Sequence, residues 1–162
     1  MEGIVHIRID DRLIHGQVAV FWTRRLNVNR IMVIDDEIAV DETRKATLRM
    51  VAPAGVNTSI LQVEKAAENI LSGRYKGQRV LVVVNSPLIL ERLMQLGLPI
   101  KEINVGNLSK REGTEQIKKS ISVSKEEKEC FLRLMDLGVV LTANMTPEEH
   151  GNYLKDYLRE ER

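Results

Sequence analysis

The sequence predicts an α/β fold: an open, mainly parallel β-sheet with helices on both faces and a polar loop after the first strand. Three observations carry this. Short β-branched runs alternate with helical patterns along the chain, beginning with IVHIRI at 4–9. RVLVVV at 79–84 has no polar face, as a strand covered on both sides requires. The 162 residues are 43% hydrophobic and contain no linker, repeat or low-complexity segment, so residues 1–162 read as one domain.

Taken in order, Ile4 to Ile9 is the first strand. Strict alternation places Val5, Ile7 and Ile9 on one face and Ile4, His6 and Arg8 on the other. His15 to Leu26 has Val18, Phe21, Trp22 and Leu26 at helical spacing, with Arg24 and Arg25 near its C-terminus. Arg30 to Ile34 is a second strand ending in Asp35-Asp36. Asp41 then opens a helix through Ala46, Leu48, Met50 and Val51, which Pro53 and Gly55 terminate.

Asn57 to Val63 is a weaker third strand, followed by a short helix from Glu64 to Leu71. After the central strand at 79–84, Ser86-Pro87 caps a helix whose core face is Leu88, Leu90, Leu93, Met94 and Leu96. Glu102 to Val105 is a strand running into Gly106-Asn107, and Lys110 to Thr114 is a polar loop. Ile117, Ile121 and Val123 fit a strand or extended edge segment. Ser124 with Glu127 forms a capping box for a helix carrying Cys130, Leu132, Leu134, Met135 and Leu137. Val139 to Leu141 is a short strand. Thr146-Pro147 opens a last, strongly charged helix through Tyr153, Tyr157 and Leu158. The run Lys125 to Glu129 and the tail Arg159 to Arg162 read as exposed helical faces.

Composition narrows the function. A net charge of +1 and 4% aromatic residues supply neither the field nor the stacking surface of a nucleic-acid binder. The single cysteine, Cys130, forms no internal disulfide and reads as a buried small hydrophobe. No signal-peptide pattern or long apolar run is visible, so the expected location is cytoplasmic, with any membrane role supplied through partners. His6 and His150 have no ligand-like spacing, and no nucleotide-binding glycine motif occurs. Neither metal nor cofactor is expected. His6 is expected to pack within the first strand and His150 to sit on a solvated helix.

The chemistry concentrates in Arg8-Ile9-Asp10-Asp11-Arg12-Leu13-Ile14-His15-Gly16-Gln17-Val18. A histidine here can simply cap or pack the helix. The surroundings point further. Asp10 and Asp11 can accept a ring N–H and fix its tautomer, leaving the other nitrogen nucleophilic. Arg12 is close enough in a tight turn to reach a group on the ring, and Arg8 lies near the same rim. The first-turn N–H groups of Gly16 and Gln17 can face that group's oxygens. A parallel sheet places this stretch beyond the carboxyl ends of its strands, where such folds bind ligands. Phosphoryl transfer needs this kind of positioning and charge stabilisation.

RIDDRLIHGQV, with Trp22 one helix length on, closely resembles the active-site segment of the enzyme IIB components of mannose-type sugar phosphotransferase systems. VIDDEIAVD at 33–41, the strand and Ser-Pro turn at 79–87, INVGN at 103–107 and SISVSKEE at 120–127 fall in that family's order. The resemblance implies a phosphocarrier that takes a phosphoryl group from phosphohistidine of a IIA partner and passes it to a sugar entering through membrane IIC and IID subunits. It implies phosphorylation of His15, through Nδ1 as in related proteins. Arg8, Asp10, Arg12, Gly16 and Gln17 match the loop around it, with Arg12 and Arg8 on the phosphate and Asp10 orienting the loop. A homo-oligomer is compatible with this reading. Asn107 stands where mannose, fructose and sorbose members usually have glycine, which resembles the N-acetylgalactosamine-type members.

Two other readings compete. Asp10-Asp11 and Asp35-Asp36 at strand ends resemble the acidic pocket of response-regulator receivers, but no strand-end lysine follows Val84 or Val105. Asp35 and Asp36 are therefore expected to line the rim or cap the next helix, with Asp36 helping to shape the pocket. The second alternative is a non-catalytic module sensing a sugar phosphate or another anion in the same loop.

Overall fold

The computed structural model describes residues 1–158; the tail Arg159 to Arg162 lies outside the described residues. The main sheet has six strands, all parallel. They are β1 (Ile4–Asp10), β2 (Arg30–Ile34), β3 (Asn57–Leu61), β4 (Val80–Val84), β5 (Glu102–Asn107) and a later strand at Val140–Thr142. Between β5 and that last strand, β6 (Glu115–Lys118) and β7 (Ile121–Val123) form a separate antiparallel hairpin, so Val140–Thr142 is β8. The order across the sheet is β3-β2-β4-β1-β5-β8. From β1 the chain moves outward to β2 and β3, returns through β4, and then builds β5 and β8 on the other side. The end of β1 therefore meets the reversal in winding direction, the position at which open α/β sheets bind ligands.

Helices cover both faces, as the alternating strands require. α1 (Gly16–Arg25) and α2 (Glu42–Val51) lie over Ile31, Val33, Leu81 and Val83. α3 (Val63–Leu71), α4 (Pro87–Gln95) and α5 (Lys125–Asp136) pack against Ile7, Ile9, Met32, Val82, Val84 and Val105. Every residue of β4 is buried, consistent with its uniformly apolar sequence. Helix starts follow local chemistry. The Ser86 hydroxyl accepts from the N–H of Leu88, with Pro87 opening α4. Ser124 and Glu127 complete the capping box of α5 reciprocally.

Five expectations change. A bulge between Ile4 and His6 breaks the alternation of β1, so Ile4 joins the face of Ile7 and Ile9 while Val5 packs on the α1 side. α2 lies at the sheet margin with no buried residue, leaving Met50 85% exposed and only Leu48 packed against the core. Phe21 of α1 and Leu96 at the end of α4, both expected to pack inward, are exposed. Glu127, expected on a solvated face, is buried.

The predicted final helix is the fifth, because residues 143–158 form a strap instead. Its Ala143 N–H donates to the Asn152 carbonyl and Thr142 bridges Tyr153. Gly151 adopts φ 69, and only a 3₁₀ turn at Leu154–Asp156 is helical. Burial of Leu154 and Leu158 against the α5 side outweighs the Thr-Pro helix start. His150 is exposed on this strap. No helix among the described residues is long and apolar enough to cross a membrane.

Candidate functional site

β1 delivers Asp10 to the carboxyl rim between β4 and β5. Its buried carboxylate accepts four hydrogen bonds. Oδ1 takes the backbone N–H and the Nε–H of Arg12, both at 3.0 Å. Oδ2 takes Arg12 Nη2 at 2.9 Å and Arg8 Nη2 at 3.3 Å. These bonds hold the Arg12 guanidinium above its ordinary pKa. Asp10 therefore holds arginines, one of the two partners expected for it.

The next turn is tight. The Leu13 N–H donates to the Asp10 carbonyl at 2.9 Å, and Leu13 adopts φ 61. A left-handed leucine costs about 1–3 kcal/mol. Burial of Leu13 and Ile14 in the α1-side core offsets that strain. His15 follows as the N-cap of α1, with φ −127 and ψ 100, and its side chain makes no capping bond. It is exposed, as are Gly16 and Gln17. Gly16 takes φ 27 in open space, so backbone conformation rather than crowding calls for glycine. The N–H groups of Gly16 and Gln17 belong to the first helical turn and have no acceptor within the helix.

Asp11 is committed elsewhere. It accepts from the Ser109 N–H at 2.7 Å, Asn107 Nδ2 at 2.9 Å and the Ser109 hydroxyl at 3.1 Å. It thereby ties the His15 loop to the end of β5 and does not hold the imidazole. Asn107, the residue that resembles the N-acetylgalactosamine-type members, serves this latch. Arg111 continues the tie, bonding the Ser109 and Ser122 carbonyls and the Glu127 carboxylate.

Arg8 is the largest departure from expectation. It is only 2% exposed rather than open at the rim. Nη1 donates to the Asn144 carbonyl at 3.1 Å, Nη2 reaches Asp10, and the guanidinium carbon lies 5.3 Å from the Trp22 ring centroid. Nη2 also lies 3.9 Å from Met145 Sδ. Gly106 leaves the guanidinium its space, since a Cβ there would collide with it. Burial pulls the Arg8 pKa down to about 10 against the raising effect of Asp10, so Arg8 stays cationic at neutral pH.

Trp22 stacks on His6 at 4.5 Å and donates to the Met145 carbonyl at 3.3 Å. His6 is pushed down to about 4, first by burial and then by the Arg8 charge. Asn104, 1% exposed, fixes the strap by donating to the Asn144 carbonyl and accepting the Asn144 N–H.

The fold thus gathers Arg8, Asp10 and Arg12 into one ion cluster, with His15, Gly16 and Gln17 exposed at the adjoining helix start. Asp35 and Asp36 lie outside it: Asp35 accepts the Ile38 N–H, and Asp36 caps α3 at Val63 and pairs with Arg92. Asp36 thus bonds α3 and α4 rather than any residue of the ion cluster. A cleft of about 460 Å³ lined by His6, Lys101, Glu102 and Asn104 lies along β1 and β5 and does not include His15. Sequence reasoning misses Asn104, Asn144 and Met145. Their contacts span tens of residues, and no local pattern signals them. Among the described residues, no group of three or more His, Cys, Asp or Glu could hold a metal ion.

Residues 4–162 match the family model of the PTS system sorbose subfamily IIB component. The mannose-specific EIIAB component of Escherichia coli K12 is 42% identical over 134 residues, which cover 83% of this chain. The chain spans 42% of the length of that relative. The fructose-specific EIIB component of Bacillus subtilis is 37% identical over 98% of each chain. The solved IIBSor domain of the sorbose permease from Klebsiella pneumoniae superposes with a TM-score of 0.90 at 30% identity, covering 97% of this chain and 96% of that one. The family match runs through both the ion cluster and the His15 loop, and the chain belongs to the sorbose subfamily of IIB components of the sugar phosphotransferase system.

Proposed function

We propose that this chain is a phosphocarrier whose acceptor is His15. The observation carrying this is an exposed histidine at the N-terminus of α1, free of any capping bond, on the loop whose Arg12 is clasped by Asp10. Arg12 uses Nε and Nη2 on Asp10 while its side chain stays 27% exposed, leaving Nη1 for an incoming phosphoryl oxygen. The N–H groups of Gly16 and Gln17 provide further donors at the positive end of the helix.

In the first half-reaction, a nitrogen of His15, taken as Nδ1, attacks the phosphorus of a phosphohistidine on the IIA partner. The new N–P bond forms as the donor's N–P bond breaks; the His15 ring releases its N–H proton and the freed donor ring takes one up. In the second, a sugar hydroxyl oxygen attacks phosphorus, the bond to His15 breaks, and the hydroxyl proton passes to the released imidazole. The chain's own part is positional and electrostatic: Arg12 and the helix start stabilise charge on the transferred group. IIC and IID membrane subunits would present the sugar, with this chain peripheral to them. The sugar expected from Asn107 is N-acetylgalactosamine-like, although its contacts here serve Asp11 and Ser109.

Incubation with a phosphorylated mannose-type IIA carrying labelled phosphate tests the reading. One acid-labile, base-stable label per chain is expected, and His15→Ala should abolish it. Arg12→Ala should slow labelling by about 100-fold, as loss of a charge-assisted contact to the transferred group does. A wild-type chain that takes no label from a competent donor would leave the anion-sensing alternative standing instead.

A further inference from the structure

Arg8 is 2% exposed and spends Nη1 and Nη2 on Asn144 and Asp10, yet burying a guanidinium is costly. It is walled in by Trp22, Gly106 and the Asn144–Met145 strap, and its carboxylate partner is Asp10. Asp10 is only 1% exposed, so solvent screens its charge little. Arg12 binds the same carboxylate through a two-point fork.

The charges of the cluster decide what Arg8 does. Asp10 and Arg12 alone would sum to zero, and the carboxylate would repel an approaching phosphoryl group about as much as Arg12 attracts it. With Arg8 the cluster is Arg8⁺, Asp10⁻, Arg12⁺, net +1, and the surplus sits at its exposed member. The geometry adds to this. Arg8 Nη2 shares Oδ2 with Arg12 Nη2, so the inner arginine fixes the carboxylate plane into which the Arg12 fork fits.

We infer that Arg8 is a positioning residue: as the buried counter-charge of Asp10, it leaves the positive charge of Arg12 uncancelled and aims it at the His15 loop. The strap belongs to the same device, since the Asn144 carbonyl, itself fixed by Asn104, sets where Arg8 lies. The inference rests on the phosphocarrier reading and on the place of Arg12 in it.

A double-mutant cycle tests it, using the full chain, phosphorylated IIA and single-turnover labelling. Arg8→Met, Arg12→Ala and the double variant are compared, with Arg8→Lys as a charge-retaining variant. Arg8→Met should lower the maximal transfer rate roughly 10- to 100-fold, the worth of one charged contact. The apparent KM for the donor protein should stay within about twofold, because a buried side chain does not touch the donor. In the double variant the buried Asp10 carboxyl has no cation beside it and takes up a proton, so the cluster stays at net zero as in Arg12→Ala. Adding Arg8→Met to Arg12→Ala should therefore cost less than about threefold further. Arg8→Lys should recover a clear part of the rate, and Arg8→Gln carries the same cycle if Arg8→Met fails to fold.

Multiplicative losses in the cycle would overturn the inference, because Arg8 would then act independently of Arg12. So would an Arg8→Met rate equal to wild type, or an Arg8→Lys rate no better than that of Arg8→Met. Failure of the wild type to take label would instead overturn the phosphocarrier reading itself.

Discussion

Replacing Gly106 by alanine puts the packing of Arg8 to the test. Gly106 does not use the left-handed region, so its backbone accepts alanine without strain. The obstacle is the Arg8 guanidinium, where the new methyl would fall. An arginine tip on a surface swings aside at little cost. Arg8 is held by Asn144 and Asp10 and faced by Trp22. Displacing it forfeits charged hydrogen bonds worth about 1.5–3 kcal/mol each; keeping it in place overpacks the site at about 1–3 kcal/mol. Either way about 3 kcal/mol should be lost, lowering the melting temperature by roughly 6–12 °C for a domain of this size. Thermal melts followed by circular dichroism measure this directly. Gly138→Ala is the control with the opposite cause: φ is 86 in open space, so only a left-handed penalty of about 1–2 kcal/mol applies. In an Arg8→Met background, the cost of Gly106→Ala should fall below about 1 kcal/mol, since the two changes share one space. A Gly106→Ala melt within about 1 °C of wild type would refute the packing argument.

Other consequences are open to simple measurements. The folded-state pKa of His6, about 4, lies below its ordinary value of 6.5, so between these pH values the unfolded chain binds the extra proton. Stability should therefore fall as pH drops through that window, and His6→Gln should flatten the fall; equal slopes for the two proteins would count against a buried neutral His6. Glu127→Ala removes both the return bond of the capping box and the Arg111 pair, and should cost about 2 kcal/mol, read as a lower denaturant midpoint. Glu127→Gln, which keeps a capping acceptor, should cost less. Cys130 is fully buried and its thiol is pushed up to about 12, first by burial. It should resist a disulfide reagent at pH 8 in the native protein and react promptly in guanidinium; rapid native labelling would contradict its burial.

Legibility in the sequence follows the range of the interactions. The all-apolar run of β4, the Ser86-Pro87 start of α4 and the Ser124–Glu127 box are readable because each is decided within a few residues. So is the loop carrying Asp10, Arg12 and His15, whose charge spacing survives into the structure as an Asp10–Arg12 fork. The bulge at Val5 leaves no mark, since Val, Ile and His fit either face of a half-covered strand. Leu13 carries none of the usual signs of a left-handed residue. The helix expected after Thr146 loses to tertiary burial of Leu154. Arg8 looks available in the sequence because its partners Asn144 and Met145 are more than 130 residues away. The inner half of the site can be seen only in three dimensions.

That separation bears on how the protein comes into being. During synthesis, β1, α1 and the His15 loop emerge before residues near 144 are made, and β4 can already pair with β1 in that interval. Until the strap arrives, Arg8 lacks its carbonyl and Trp22 lacks the acceptor for its indole N–H. Part of the sheet can thus pair before its ion cluster is set, because the contacts that complete the cluster span more than 120 residues. A chain cut after residue 142 would retain all six sheet strands and still leave the Arg8 guanidinium short of its carbonyl partner. Completion of the ion cluster beside the His15 loop waits on a carbonyl 136 residues beyond Arg8.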